Sequence, residues 1–107
     1  MVPDAPVSLA NVPEITDAEA IGLTWSPGAS DGGTSVIDYR IFYALESESY
    51  TELVSGITEQ SYTTSVDLTD GENYKFKIQS RNTVGYSLDS QEVIIRAAKI
   101  PDAPVKL

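Results

Sequence analysis

Apolar and polar side chains alternate with period two through most of this chain, and short clusters of turn residues interrupt the alternation at regular intervals. In Tyr74-Lys75-Phe76-Lys77-Ile78-Gln79 the alternation runs without error, the mark of a strand with one buried and one wet face. Ala20–Ser26 places Ile21, Leu23 and Trp25 on one face, and Ile37–Tyr43 does the same for Ile37, Tyr39, Ile41 and Tyr43. Weaker strands are expected at Tyr50–Ser55, ahead of Gly56, and at Ser61–Leu68, with Tyr62, Thr64, Val66 and Leu68 in phase. Val7–Val12 opens the series, and Gln91–Ala97 closes it with Val93, Ile95 and Ala97 inward. Pro27–Gly33, Thr69-Asp70-Gly71 and Asn82–Ser87 read as loops, because these residue types favour turns or tolerate positive φ. Short alternating strands without a helical window predict an all-β, seven-stranded antiparallel two-sheet sandwich. Its expected core is Trp25, Tyr39, Ile41, Leu68, Tyr74, Phe76 and Ile78.

Val2-Pro3-Asp4-Ala5-Pro6-Val7-Ser8-Leu9 returns as Ile100-Pro101-Asp102-Ala103-Pro104-Val105-Lys106-Leu107, identical at six of eight positions with an offset of 98 residues. A chain that restarts its own beginning reads as one repeat followed by the first strand of the next. The expected division is a domain over residues 1–99 and a linker with the start of a new repeat over 100–107. Pro3, Pro6, Pro101 and Pro104 would stiffen the joints, since each fixes its own φ and extends the residue before it. A length of 107 residues suits one domain.

The formal charge of −9, from 7 Lys and Arg against 16 Asp and Glu, argues against nucleic-acid phosphates or anionic lipid as partners. Cysteine and histidine are both absent, which removes the preferred ligands of zinc and copper and the usual base of a catalytic triad. No apolar stretch is long enough for a bilayer, and the N-terminal residues lack signal-peptide blocks, so any targeting segment is expected to lie upstream in a longer parent. Asn11, Asn73 and Asn82 all lack the Ser or Thr of a glycosylation sequon.

Five segments resemble the fibronectin type III family in the same order. Ile21-Gly22-Leu23-Thr24-Trp25 is similar to its second strand, and Tyr39-Arg40-Ile41-Phe42-Tyr43 to its third. Leu68-Thr69-Asp70-Gly71-Glu72-Asn73-Tyr74 resembles its leucine-to-tyrosine corner, which implies that the Tyr74 hydroxyl bonds backbone near Leu68. Asn82–Ser90 is similar to the loop before its last strand, and Pro3-Asp4-Ala5-Pro6 to its opening linker. The resemblance implies an immunoglobulin-like sandwich, non-enzymatic and without a cofactor, in an extracellular or cell-surface array. The Arg-Gly-Asp tripeptide is missing, since Arg81 precedes Asn82 and Thr83, and Tyr86-Ser87-Leu88-Asp89-Ser90 lacks the tryptophans of the cytokine-receptor box.

Three carboxylate groups are candidates for a hard cation such as calcium: Glu14, Asp17 and Glu19; Glu46, Glu48 and Glu52; Asp67, Asp70 and Glu72. None has an EF-hand pattern, and solvated turns are the expected role. Alternation sends Arg40, Phe42, Lys75, Lys77, Gln79, Ile94 and Arg96 to one outer sheet face, where Phe42 and Ile94 stand among cations as a candidate contact patch. Val84, Tyr86 and Leu88, with the Pro27–Gly33 loop nearby, form a second candidate at one end of the sandwich. The expected role is a structural spacer and protein–protein or adhesion scaffold, with neighbouring repeats and an unidentified protein as partners. The alternatives are a spacer in a secreted carbohydrate-active enzyme and a filament subunit built by head-to-tail contacts.

Overall fold

The computed structural model describes residues 1–17, 19–66 and 68–98. The faultless alternation around Phe76 becomes the longest strand, β6 (Asn73–Arg81), with Tyr74, Phe76, Ile78 and Ser80 buried in turn. The other strands are β1 (Val7–Asn11), β2 (Gly22–Ser26), β3 (Asp38–Leu45), β4 (Thr51–Ile57), β5 (Ser61–Thr63) and β7 (Val93–Arg96). They form a three-stranded sheet in the order β1-β2-β5 and a four-stranded sheet in the order β4-β3-β6-β7. Every pairing is antiparallel, so the fold is the all-β two-sheet sandwich that alternation requires.

The inner faces meet in one cluster. Ile21, Leu23 and Trp25 from the β2 side oppose Tyr39 and Ile41 of β3, Phe76 and Ile78 of β6, and Ile95 of β7. Trp25 is 3% exposed and meets the Tyr39 ring edge-on, with centroids 5.4 Å apart, a geometry suited to the ring quadrupoles. At the opposite end of the core, Tyr43 stacks on Phe76 and Tyr74. The Tyr74 hydroxyl accepts the Thr69 N–H at 2.7 Å, so the chain leaving β5 is pinned where it crosses between sheets. Leu68 is half-buried and packs on the rim of the core.

Three details depart from the expected strands. Ile37 is exposed, because Val36 takes the core position and the strand proper starts at Asp38. Gly56 lies inside β4 at φ 73°. There Tyr39 pairs with Ile57 and Ile41 with Val54, so β4 carries one extra residue, and glycine accommodates the bulge. Ser61–Leu68 stays strand only to Thr63. The Thr64 hydroxyl then accepts the Ile21 N–H at 2.9 Å and closes that edge before the crossing.

Candidate functional site

Alternation on β3, β6 and β7 turns Arg40, Phe42, Lys75, Lys77, Gln79, Ile94 and Arg96 outward, and the structure interleaves their cations with aromatic rings. The Arg40 guanidinium lies 3.7 Å from the Tyr86 centroid and 4.9 Å from that of Phe42. Lys77 sits 4.4 Å from the Tyr50 ring and 5.6 Å from Phe42, and Arg81 caps the row 5.7 Å from Tyr86. The order Tyr50, Lys77, Phe42, Arg40, Tyr86, Arg81 is therefore a ladder of cation–π contacts. Each cation of the ladder has a polar partner. Arg40 donates to Gln79, Lys77 to Asp89 at 2.8 Å, and Arg81 grips the buried Asp38 through two hydrogen bonds of 2.9 and 2.6 Å. The Asp38 carboxylate holds the Arg81 proton more tightly than usual. The Tyr50 hydroxyl donates to Glu92, and burial, reinforced by that carboxylate, pushes the Tyr50 pKa well up.

The ladder redraws both candidate patches. Phe42 is half-buried beneath Arg40 and Lys77, whereas Ile94 stays exposed. Tyr86 does not join Val84 and Leu88. An isolated bridge to Arg81 turns it onto the sheet face under Arg40, and Val84 and Leu88 are left exposed separately. The sequence groups these three because they share one loop at one end of the sandwich, but the path of that loop decides which way each side chain faces. The segment from Tyr86 to Ser90 instead follows β6 through its serines. Ser87 Oγ accepts the Ser80 N–H at 3.0 Å and the Ser87 N–H reaches Ser80 O at 2.7 Å. Ser90 Oγ accepts the Ile78 N–H at 2.9 Å and returns its own N–H to Ile78 O at 2.9 Å. A serine hydroxyl thus replaces a partner carbonyl twice.

The third feature is the N-terminal segment. Pro3 and Pro6 are buried, so the first pair of joint prolines is integral to the module. The Asp4 N–H donates to Ser30 O at 2.9 Å, the Ser30 N–H returns to Asp4 Oδ2 at 3.1 Å, and Ser80 Oγ donates to Asp4 O at 2.9 Å. Beside them Asn82, 2% exposed, donates through Nδ2 to Met1 O and Asp31 O at 2.7 and 2.8 Å. Its Oδ1 accepts the Val84 and Gly85 N–H groups at 2.9 and 3.2 Å. Two glycines admit the segment. A Cβ on Gly28 would lie 2.6 Å from Ala5 O, and one on Gly32, at φ 79°, would lie 2.2 Å from Met1 O. Proline spacing announces an extended segment but not its seat, which is made by residues more than twenty positions away. Pro101 and Pro104 lie outside the described residues.

Three of the carboxylate candidates have local structural roles. Asp17 Oδ1 accepts the Glu19 and Ala20 N–H groups in a turn, Glu46 accepts from Asn73 at 3.2 Å, and Glu52 stands 3.8 Å from Arg40. Asp67 lies outside the described residues. Among the described residues no three acidic side chains converge as a metal set, and no helix is long and apolar enough to cross a membrane. A cleft of about 400 Å³ opens between Ala5–Leu9 and Asp89–Val93, where β1 and β7 approach without pairing.

A two-sheet β-sandwich whose side chains are engaged in holding its own faces and N-terminal segment together defines a structural module. Residues 4–96 match the fibronectin type III domain, and the chain belongs to that family. A titin homolog from Caenorhabditis elegans is 28% identical over 97 residues, 87% of this chain and a share of that protein that rounds to 0%. A crystal structure of titin domains superposes with a TM-score of 0.82 at 24% identity, over 91% of this chain and 32% of that one. The twitchin kinase region from C. elegans gives 0.79 at 25% identity, covering 92% and 17%.

Proposed function

We propose that this module is a non-catalytic spacer and protein–protein scaffold within a chain of many domains, with neighbouring modules as its immediate partners. The observation that carries this reading is the seating of Pro3–Pro6 on Ser30, Ser80 and the two loop glycines. A linker that is part of the fold fixes the direction in which the chain enters the module, which a free linker does not. The likeness to a small part of a titin homolog supports the same reading. The ladder supports it too, because it ties the strands of the outer sheet face together through Arg40, Lys77 and Arg81. An interaction with a further protein would fall to the exposed Ile94, Val84 and Leu88.

Compartment is a separate matter. With no cysteine and no sequon, nothing in the composition ties the module to an oxidising or glycosylating compartment, and a cell-surface setting rests on the family resemblance. Force spectroscopy of the module held between two reference domains tests the spacer role. The expected record is one cooperative unfolding step that releases about 300 Å of contour length, from an extended reach of about 3.3–3.6 Å per residue. Gradual extension without a peak would contradict it.

A further inference from the structure

We propose that the seat filled by residues 2–9 also accepts residues 100–107 of a second copy of this chain, joining copies head to tail. The inference takes only its biological setting from the spacer reading. The chemistry of the seat stands by itself.

The seat reads a short pattern. It buries two prolines three positions apart, bonds the Asp4 side chain and both of its backbone polar groups, and takes Leu9 against the core. The later segment supplies every one of these as Pro101, Asp102, Pro104 and Leu107. Its two differences, Ile100 for Val2 and Lys106 for Ser8, fall where the seated residues are exposed. Ser8 has φ 60°, and lysine meets that conformation with no branched β-carbon to worsen it. The changes therefore sit where the seat does not grip.

A chain cannot seat its own later copy. Ala97 bonds Glu72 at the Asn73 end of β6, whereas Asp4 is held by Ser80 near the other end. Asn73 and Ser80 lie seven residues apart along β6, roughly 24 Å at the usual rise, and the five residues from Ala97 to Asp102, the counterpart of Asp4, reach at most about 18 Å. The occupant must come from another copy. Such a contact joins different surfaces of the two molecules, so it propagates head to tail into closed rings or open chains. In the intact protein residues 2–9 are tethered beside their seat at an effective concentration of order millimolar, and they exclude the competitor. The tethered segment therefore competes with the second copy, and assembly is expected to strengthen when residues 2–9 are removed.

The experiment replaces residues 2–9 by a glycine-serine run of equal length in the full chain and compares it with the same variant ending at Ala98. Sedimentation and thermal unfolding are followed over a hundredfold range of concentration. The expected result is that the variant retaining residues 100–107 forms multiples of the monomer mass and its Tm rises with concentration. The shorter variant does neither until a synthetic Ile100–Leu107 peptide is added. Pro101→Gly with Asp102→Ala abolishes both effects. Equal mass and equal Tm for the two variants at every concentration overturn the proposal, whether those variants are folded or not. Assembly that survives the Pro101 and Asp102 changes overturns it as well. Either failure leaves the force-spectroscopy test of the spacer role untouched.

Discussion

Replacing Asn82 by alanine removes one buried side chain that serves three chain segments. Four hydrogen bonds disappear, two donated to Met1 O and Asp31 O and two accepted from Val84 and Gly85. The Met1 carbonyl lies at an exposed end, where water substitutes at little cost. The Asp31 carbonyl and the Val84 and Gly85 N–H groups lose a partner in a partly buried network. At about 0.5–1.5 kcal/mol net per bond, three such losses come to about 2–4 kcal/mol. That is a large share of the roughly 5–15 kcal/mol a domain possesses. Urea melts followed by Trp25 fluorescence measure it, and an unchanged m-value shows that the loss is in stability and not in denatured-state compactness. Asn82→Asp keeps the acceptor and loses both donors, setting a carboxylate against two carbonyls, so at neutral pH it is expected to cost more than alanine. A cost below 0.5 kcal/mol for alanine, or an aspartate variant as stable as the parent, would refute the three-segment clamp.

Tyr74→Phe is expected to cost about 1–3 kcal/mol in the same melts, since it leaves the Thr69 N–H without the hydroxyl that accepts it at 2.7 Å. Trp25→Ala is expected to cost about 3–5 kcal/mol through the cavity it opens beside Tyr39. Among the described residues the Trp25 indole N–H has no partner, so Trp25→Phe is expected to lose clearly less than the alanine variant. Burial raises the pKa of Tyr39, and burial with Glu92 raises that of Tyr50. For a group that ionises later when folded, stability is full below the ordinary tyrosine pKa near 10 and falls as pH climbs above it. Absorbance titration is expected to show Tyr39 and Tyr50 ionising late and together with alkaline unfolding, and ordinary ionisation of both would contradict this.

The parts of the fold legible in the sequence are those where one face is buried and the other wet. Alternation in Gly22–Ser26 and Asn73–Arg81 assigns Leu23, Trp25, Tyr74, Phe76 and Ile78 to the interior without ambiguity. It fails where a second physical demand competes with parity. Asp38 is buried because it holds Arg81, and Ile37 beside it faces out. Gly56 marks a bulge inside a strand, although glycine read along the sequence looks like an ending. The site was less legible than the fold. The outward set from Arg40 to Arg96 follows from parity, but the stacking of Arg40 on Tyr86 depends on a loop whose path is set by Ser87 and Ser90. Nor does spacing place Pro3 and Pro6 in a seat built from Gly28, Gly32, Ser80 and Asn82, because those contacts are long-range.

The claim that the Pro3–Pro6 segment belongs to the module, and is not a free tether, has a direct readout in the backbone. Asp4 and Ala5 carry the two amides between the prolines, and the Asp4 N–H donates to Ser30 O at 2.9 Å. Nitrogen-15 relaxation of the intact chain reports their order on the nanosecond scale. The account predicts order parameters of about 0.85 for both, equal to those of β2 and β6, whereas values below about 0.6 would contradict it.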